Sequence, residues 1–181
     1  MVFALICASY LSVYVETVAV KIFRIADKSS KAFASFMEEV KMMCELKHKN
    51  LLGAIAYSSA PPLVITELAE RGSLRTILMD GNSGYTIYRG VAILSDVAQG
   101  MLFLHTRKPP LIHRDLKSGN ILVTNDWEGK VADFGESKAK DIGRTMTSTG
   151  TVCWMAPEIL QGEKYDEKID RYSFGIWLVI P

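Results

Sequence analysis

No glycine occurs before Gly53. A glycine-rich loop, the kind that lets backbone close over phosphates, is therefore excluded from the first part of the chain. Cysteine is scarce: Cys7, Cys44 and Cys153 are the only three, none forms a Cys-x-x-Cys pair, and an odd count fits no closed disulfide framework. Reduced thiols and a cytoplasmic setting are the simple reading. The three histidines, His48, His105 and His113, lack zinc-ligand spacing, which gives no reason to propose a metal cage of imidazole or thiolate. Neither sign of charge dominates, and a net charge of +1 gives no reason to propose a nucleic-acid partner. Long apolar runs are also missing. Met1 to Val15 carries no charge, but it has no basic leader and Glu16 interrupts it short of the ~20 residues a membrane span needs. Ile176 to Ile180 is shorter still, so no membrane partner is expected.

Hydrophobic content of 49% and charged content of 23% over 181 residues describe a globular chain with a sizeable core. Val13 to Phe23 is rich in β-branched and aromatic residues and predicts a strand. Ser29 or Ser30 caps a predicted helix to about Leu46, with Phe33, Phe36, Met37, Val40, Met43 and Cys44 at three- and four-residue steps. Leu51 to Tyr57 and Leu63 to Leu68 predict two strands around the turn Ser58 to Pro62. Gly72-Ser73 opens a short helix through Leu78. Val91 to His105 predicts a helix whose apolar stripe is Val91, Leu94, Val97, Ala98, Met101, Leu102 and His105. Lys108 to Lys164 reads as short strands and loops, and Asp166 to Ile180 as a last helix. There is no internal repeat and no low-complexity linker.

Four motifs stand in a fixed order. Val18-Ala19-Val20-Lys21 comes first, then His113-Arg114-Asp115-Leu116-Lys117-Ser118-Gly119-Asn120. Asp133-Phe134-Gly135 and Ala156-Pro157-Glu158 follow. Asp-Phe-Gly alone is weak evidence, because it also suits an ordinary turn. The set in this order is specific, and it resembles the signature of eukaryotic protein kinases. Gly150 to Glu158 (Gly-Thr-Val-Cys-Trp-Met-Ala-Pro-Glu) is similar to the tyrosine-kinase-like group that includes Raf-type and mixed-lineage kinases. The resemblance covers about residues 17–176.

The resemblance implies an α+β, two-lobed protein-kinase-like fold. Residues 1–181 would form a single partial kinase domain, with 1–69 as the N-lobe and hinge and 70–181 as an incomplete C-lobe. The N-lobe would lack its glycine-rich loop and the C-lobe would be truncated in its central helix. ATP and Mg²⁺ are the implied cofactors, and a protein bearing a Ser or Thr acceptor is the implied partner. Lys21 would contact the α- and β-phosphates and pair with Glu39 on the following helix. Glu38 is the rival, and register with Phe36, Val40 and Met43 favours Glu39. Asp115 would orient the substrate hydroxyl, while Asn120 and Asp133 would hold magnesium. Lys117 would contact the γ-phosphate and, with Thr151 near the catalytic aspartate, points to serine/threonine specificity. Thr66 resembles the gatekeeper, Glu67 to Ala69 the hinge, and Ala19 with Leu122 the two covers of the adenine. Arg114 would receive a phosphorylated activation loop, with acceptors in Thr145 to Thr149. The alternative is a catalytically impaired fragment or pseudokinase, a nucleotide-binding interaction module. A small-molecule phosphotransferase would lack Ala156-Pro157-Glu158 and the Leu-Lys pair after Asp115.

Overall fold

The computed structural model describes residues 2–9, 12–25, 27–136, 138–139 and 152–179. At the N-terminus, β1 (Val2–Ser9) and β2 (Ser12–Ile22) pair antiparallel, from Val2 opposite Ala19 to Ser9 opposite Ser12. The helix α1 (Lys31–Glu45) follows. β3 (Ala54–Ser59) and β4 (Pro62–Glu67) complete a sheet in the order β1-β2-β4-β3. Ser30 caps α1 by accepting from the Phe33 amide at 3.2 Å. Phe36, Val40 and Met43 turn the apolar face of α1 inward, and the Phe36 ring lies 4.7 Å from that of Phe23.

β3 begins three residues later than the apolar run starting at Leu51 suggests. The physical reason is that this run docks elsewhere before joining the sheet. The amide of Leu52 donates to the Val131 carbonyl at 2.8 Å, and the Val131 amide donates to the Asn50 carbonyl at 2.9 Å. The loop leaving α1 is thereby tied to the second half of the chain.

That second half starts with β5 (Gly72–Ser73), α2 (Leu74–Met79) and α3 (Ile87–His105). It continues through β6 (Leu111–Ile112), β7 (Ile121–Val123), β8 (Gly129–Val131) and β9 (Lys138–Ala139). It ends in α4 (Pro157–Leu160) and α5 (Lys168–Val179). Strands β5, β7 and β8 form a small sheet, and β6 pairs with β9. Within Lys108 to Lys164, read mostly as short strands and loops, α4 is a single turn begun by Pro157 at its first position.

The buried stripe of α3 corrects the sequence expectation. Gly90, Ile93, Val97, Gly100, Met101 and Leu104 face inward, whereas Val91 and Leu102 are 58% and 64% exposed. Apolar residues occur on most sides of this helix, so a 3.6-residue period fits more than one face. Packing chooses the face with Gly100, where an added Cβ would lie 2.9 Å from the Asn50 carbonyl oxygen. The helix also starts a turn earlier than Val91, because Thr86 caps it by accepting from the Arg89 amide. By length and hydropathy α3 could cross a membrane. Ile93, Val97 and Leu104, each 0% exposed, bury one face of it in the protein core, while Ile87, Val91 and Leu102 on the outer face are exposed.

Candidate active site

The sheet and α1 build the first corner of the site. Lys21 lies on β2, opposite Val64 of β4. Its Nζ is 2.9 Å from Glu39 Oε1 and 3.7 Å from Asp133 Oδ1. Glu38 is exposed. Burying Phe36 and Val40 fixes the rotation of α1, and that rotation aims Glu39 rather than its neighbour at β2. Asp133 has a φ of 65°, in the left-handed region. This step sends Asp133 outward while Phe134, 1% exposed, enters the core. Gly135 follows, where an added Cβ would lie 3.5 Å from Glu39 Oε2 and 3.6 Å from Asp133 Oδ1. Both carboxylates therefore crowd the side of Gly135 where a Cβ would stand.

The second corner is the loop after β6. Lys117 Nζ lies 2.6 Å from Asp115 Oδ2. Asn120 Nδ2 donates to both the carbonyl oxygen and Oδ2 of Asp115, each at 2.8 Å. The two corners join through backbone, because the Ala132 amide donates to the Asn120 carbonyl at 2.9 Å beside Asp133. His113, 0% exposed, braces the loop from beneath. Its Nδ1 accepts from the Asp115 amide at 3.3 Å, and its Nε2 meets the Ala132 carbonyl at 3.1 Å.

One residue that holds this loop escaped the sequence reading. Asp170 on α5 is 1% exposed and accepts from the His113 and Arg114 amides, both at 2.8 Å. His105 Nε2 meets the same carboxylate at 2.8 Å. Arg114 has a φ of 72°, so the chain turns sharply and its consecutive amides leave any strand ladder. A bidentate carboxylate satisfies both. The sequence signal was the stretch Asp170 to Gly175, which resembles the start of the kinase central helix but names no partner for its aspartate. The Arg114 guanidinium itself lies 5.3 Å from the Tyr165 ring centroid.

The residues expected to hold the base come from both halves of the chain. Ala19 on β2 stands opposite Thr66, and Val18 opposite Glu67. Thr66 is buried and donates its hydroxyl to the Glu67 carbonyl at 3.1 Å. Ala69 is buried and its carbonyl accepts from the Gly72 amide at 3.0 Å. Leu122 on β7 is half-buried and stands opposite Lys130 of β8. Lys130 also went unnoticed in the sequence. Its Nζ lies 3.0 Å from Glu67 Oε2. Thr151 and the acceptor segment Thr145 to Thr149 lie outside the described residues.

The donor set suits magnesium. Among the described residues no three His, Cys, Asp or Glu side chains gather into a metal cage. Mg²⁺ needs no such cage: it keeps several waters and takes one or two protein oxygens plus phosphate. The half-exposed Asp133 carboxylate offers one oxygen. With Nδ2 of Asn120 committed to Asp115, the amide oxygen remains as the second donor.

Comparison with known proteins agrees with this geometry. Residues 3–179 match the family described as protein tyrosine and serine/threonine kinase. The chain is 39% identical over 177 residues to the probable serine/threonine-protein kinase drkA of Dictyostelium discoideum, covering 94% of this chain and 28% of that protein. It is 40% identical over 167 residues to the serine/threonine-protein kinase CTR1 of Arabidopsis thaliana, covering 89% of this chain and 20% of that protein. The chain thus spans under a third of the length of either relative.

Proposed function

Because the chain belongs to the protein tyrosine and serine/threonine kinase family, we propose that it transfers the γ-phosphoryl group of ATP to a serine or threonine hydroxyl of a protein substrate. The observation that carries this reading is the unbroken run of contacts from Glu39 through Lys21 to Asp133, and from Asn120 through Asp115 to Lys117. Phosphoryl transfer requires positioning and charge stabilisation more than covalent participation by the protein. Lys21, oriented by Glu39, holds the α- and β-phosphates. The backbone of Glu67 to Ala69 meets the adenine edge, with Ala19 above and Leu122 below. Asp133 and Asn120 would hold Mg²⁺, which would supply charge neutralisation for the phosphates. Asp115 orients the acceptor hydroxyl and receives its proton as the oxygen bonds to phosphorus. The bond to the bridging oxygen breaks and ADP leaves. Lys117, already beside Asp115, meets the charge on the transferring group.

Lys117 and the serine/threonine kinases among the relatives support serine or threonine over tyrosine. A cytoplasmic setting, read from the few unpaired-looking cysteines, belongs to the same proposal. A second reading, nucleotide binding without transfer in an interaction module, is favoured by the glycine-free stretch before Gly53. Calorimetry and a phosphotransfer assay separate the two. The first reading expects Mg²⁺-dependent ATP binding and phosphate transfer to serine or threonine in a generic protein substrate. Asp133→Asn should weaken Mg²⁺-dependent ATP binding by about tenfold or more and leave adenosine binding intact. Transfer to tyrosine alone would overturn the acceptor assignment, and unchanged magnesium dependence in Asp133→Asn would overturn the metal role.

A further inference from the structure

Lys130 is unusual for an ammonium. Its side chain is only 9% exposed, on a short strand whose neighbours Gly129 and Val131 are both buried. Burying a charge is unfavourable unless it is paired and hydrogen-bonded, and an apolar side chain of similar size often serves stability as well or better. An ionic group in such a place can instead serve to specify geometry. Lys130 has two described partners, and they lie in different parts of the chain. Glu67 Oε2, at 3.0 Å, stands at the end of β4, where the chain passes to the second half. The carbonyl oxygen of Lys49, at 2.9 Å, belongs to the loop that leaves α1.

Each partner leads to a different part of the cleft. Glu67 begins the segment assigned to the adenine edge, and it stands opposite Val18, on the same strand as Lys21. Lys49 lies just beyond α1, the helix that carries Glu39. Lys130 itself stands opposite Leu122 across the β7–β8 ladder. Directly opposed residues of an antiparallel pair project to the same face, so Lys130 shares a face with the floor of the base site. Two residues after β8, the chain reaches Asp133. A backbone ladder reinforces the joint, with Asn50 Nδ2 donating to the Gly129 carbonyl at 3.1 Å and the Val131 amide to the Asn50 carbonyl at 2.9 Å.

We propose that Lys130 is a positioning residue that fixes the distance between the adenine edge and the Asp133 carboxylate, and with it the register of the two halves around bound nucleotide. The proposal rests on the kinase reading of the site. The side chain touches neither substrate nor metal in this assignment. It acts through Glu67 at one end and through β8 at the other. A carboxylate displaced by about 1 Å is enough to change rates by up to about a hundredfold, so one ammonium joining these segments has leverage over both.

Lys130→Met keeps volume and removes charge, and Glu67→Gln removes charge from the partly exposed partner with little risk to folding. Adenosine and MgATP affinities are measured by calorimetry on the unsubstituted chain, both variants and the double variant. Base contacts alone hold adenosine, whereas MgATP also needs Asp133 in place. Lys130→Met should therefore keep adenosine affinity within about twofold and lose about tenfold for MgATP, and Glu67→Gln, at a residue whose backbone meets the adenine, should lower the MgATP-to-adenosine affinity ratio by about tenfold. The double variant should be no worse than Lys130→Met, because the two residues act as one unit. Lys130→Arg should restore part of the MgATP affinity. If Lys130→Met and Glu67→Gln leave the MgATP-to-adenosine ratio unaltered, Lys130 serves stability alone and the proposal fails while the kinase reading stands. If the unsubstituted chain binds no MgATP, the kinase reading fails and this one falls with it. Should Lys130→Met not fold, the Glu67→Gln ratio decides by itself.

Discussion

At the scale of single residues, the site depends on a few side chains that satisfy more than one partner at once. Asp170 is the clearest case. Its two oxygens serve the amides of His113 and Arg114 and the ring of His105, in a carboxylate that is 1% exposed. Removing it leaves donors in a turn that has no ladder to fall back on. Each such group left unsatisfied costs roughly 1–3 kcal/mol. Asp170→Ala is therefore expected to lower stability by about 3 kcal/mol, seen as a reduced urea midpoint with unchanged slope. A loss below about 0.5 kcal/mol, the range of ordinary surface substitutions, would show that the loop holds itself. Lys21 and Glu39 differ in kind. Lys21 is about half exposed, so their pair contributes placement more than stability.

At the scale of elements, two helices show what decides placement. α1 reads well from its sequence, because Ser30 marks its start and Phe36, Val40 and Met43 mark its inner face. Ser30→Ala should cost about 1 kcal/mol, and since α1 carries Glu39, hydrogen exchange in its first turn should accelerate with it. Unchanged exchange there would mean that packing alone holds the helix end. α3 reads less well. Its inner face depends on Gly100, which admits the Asn50 backbone. Alanine is the better helix former by about 1 kcal/mol, so propensity alone predicts that Gly100→Ala stabilises. The 2.9 Å approach predicts the opposite, because the obstructing atom is backbone and cannot rotate away. Overpacking of this kind costs about 1–3 kcal/mol, so the net expectation is a modest loss in thermal or urea stability. A gain would show that the loop at Asn50 yields.

At the scale of the whole molecule, the two halves meet along the loop of residues 48–52 and β8, joined by backbone and by Lys130. The outer face of α3 is the opposite case. Ile87, Tyr88, Val91 and Leu102 are 71%, 85%, 58% and 64% exposed. Exposed apolar groups on one helix face favour association. Val91→Glu with Leu102→Glu should reduce concentration-dependent light scattering and shift folding stability by no more than about 0.5 kcal/mol per site. Scattering that persists unchanged would place the sticky surface elsewhere.

The sequence by itself determined most of the local structure and supplied the functional groups on which the proposed phosphoryl transfer rests. Lys21, Asp115, Lys117, Asn120 and Asp133 were legible as candidates because phosphoryl transfer demands particular functional groups, and most of these stand in short motifs whose spacing survives without knowledge of the fold. The strands β2 and β4 and the helix α1 were legible because their periodicity is local. Tertiary structure decided the rest. Pairing of Lys21 with Glu39 spans 18 positions and needed the rotation of α1. Asp170 meets His113 across 57 positions, and Lys130 meets the Lys49 carbonyl across 81. No local pattern encodes such partners, because a lone aspartate or lysine looks like an ordinary surface charge until the packing of distant elements removes its water. The same holds for α3, whose apolar sequence allowed several inner faces and whose one actual face was chosen by the fit of Gly100 against Asn50.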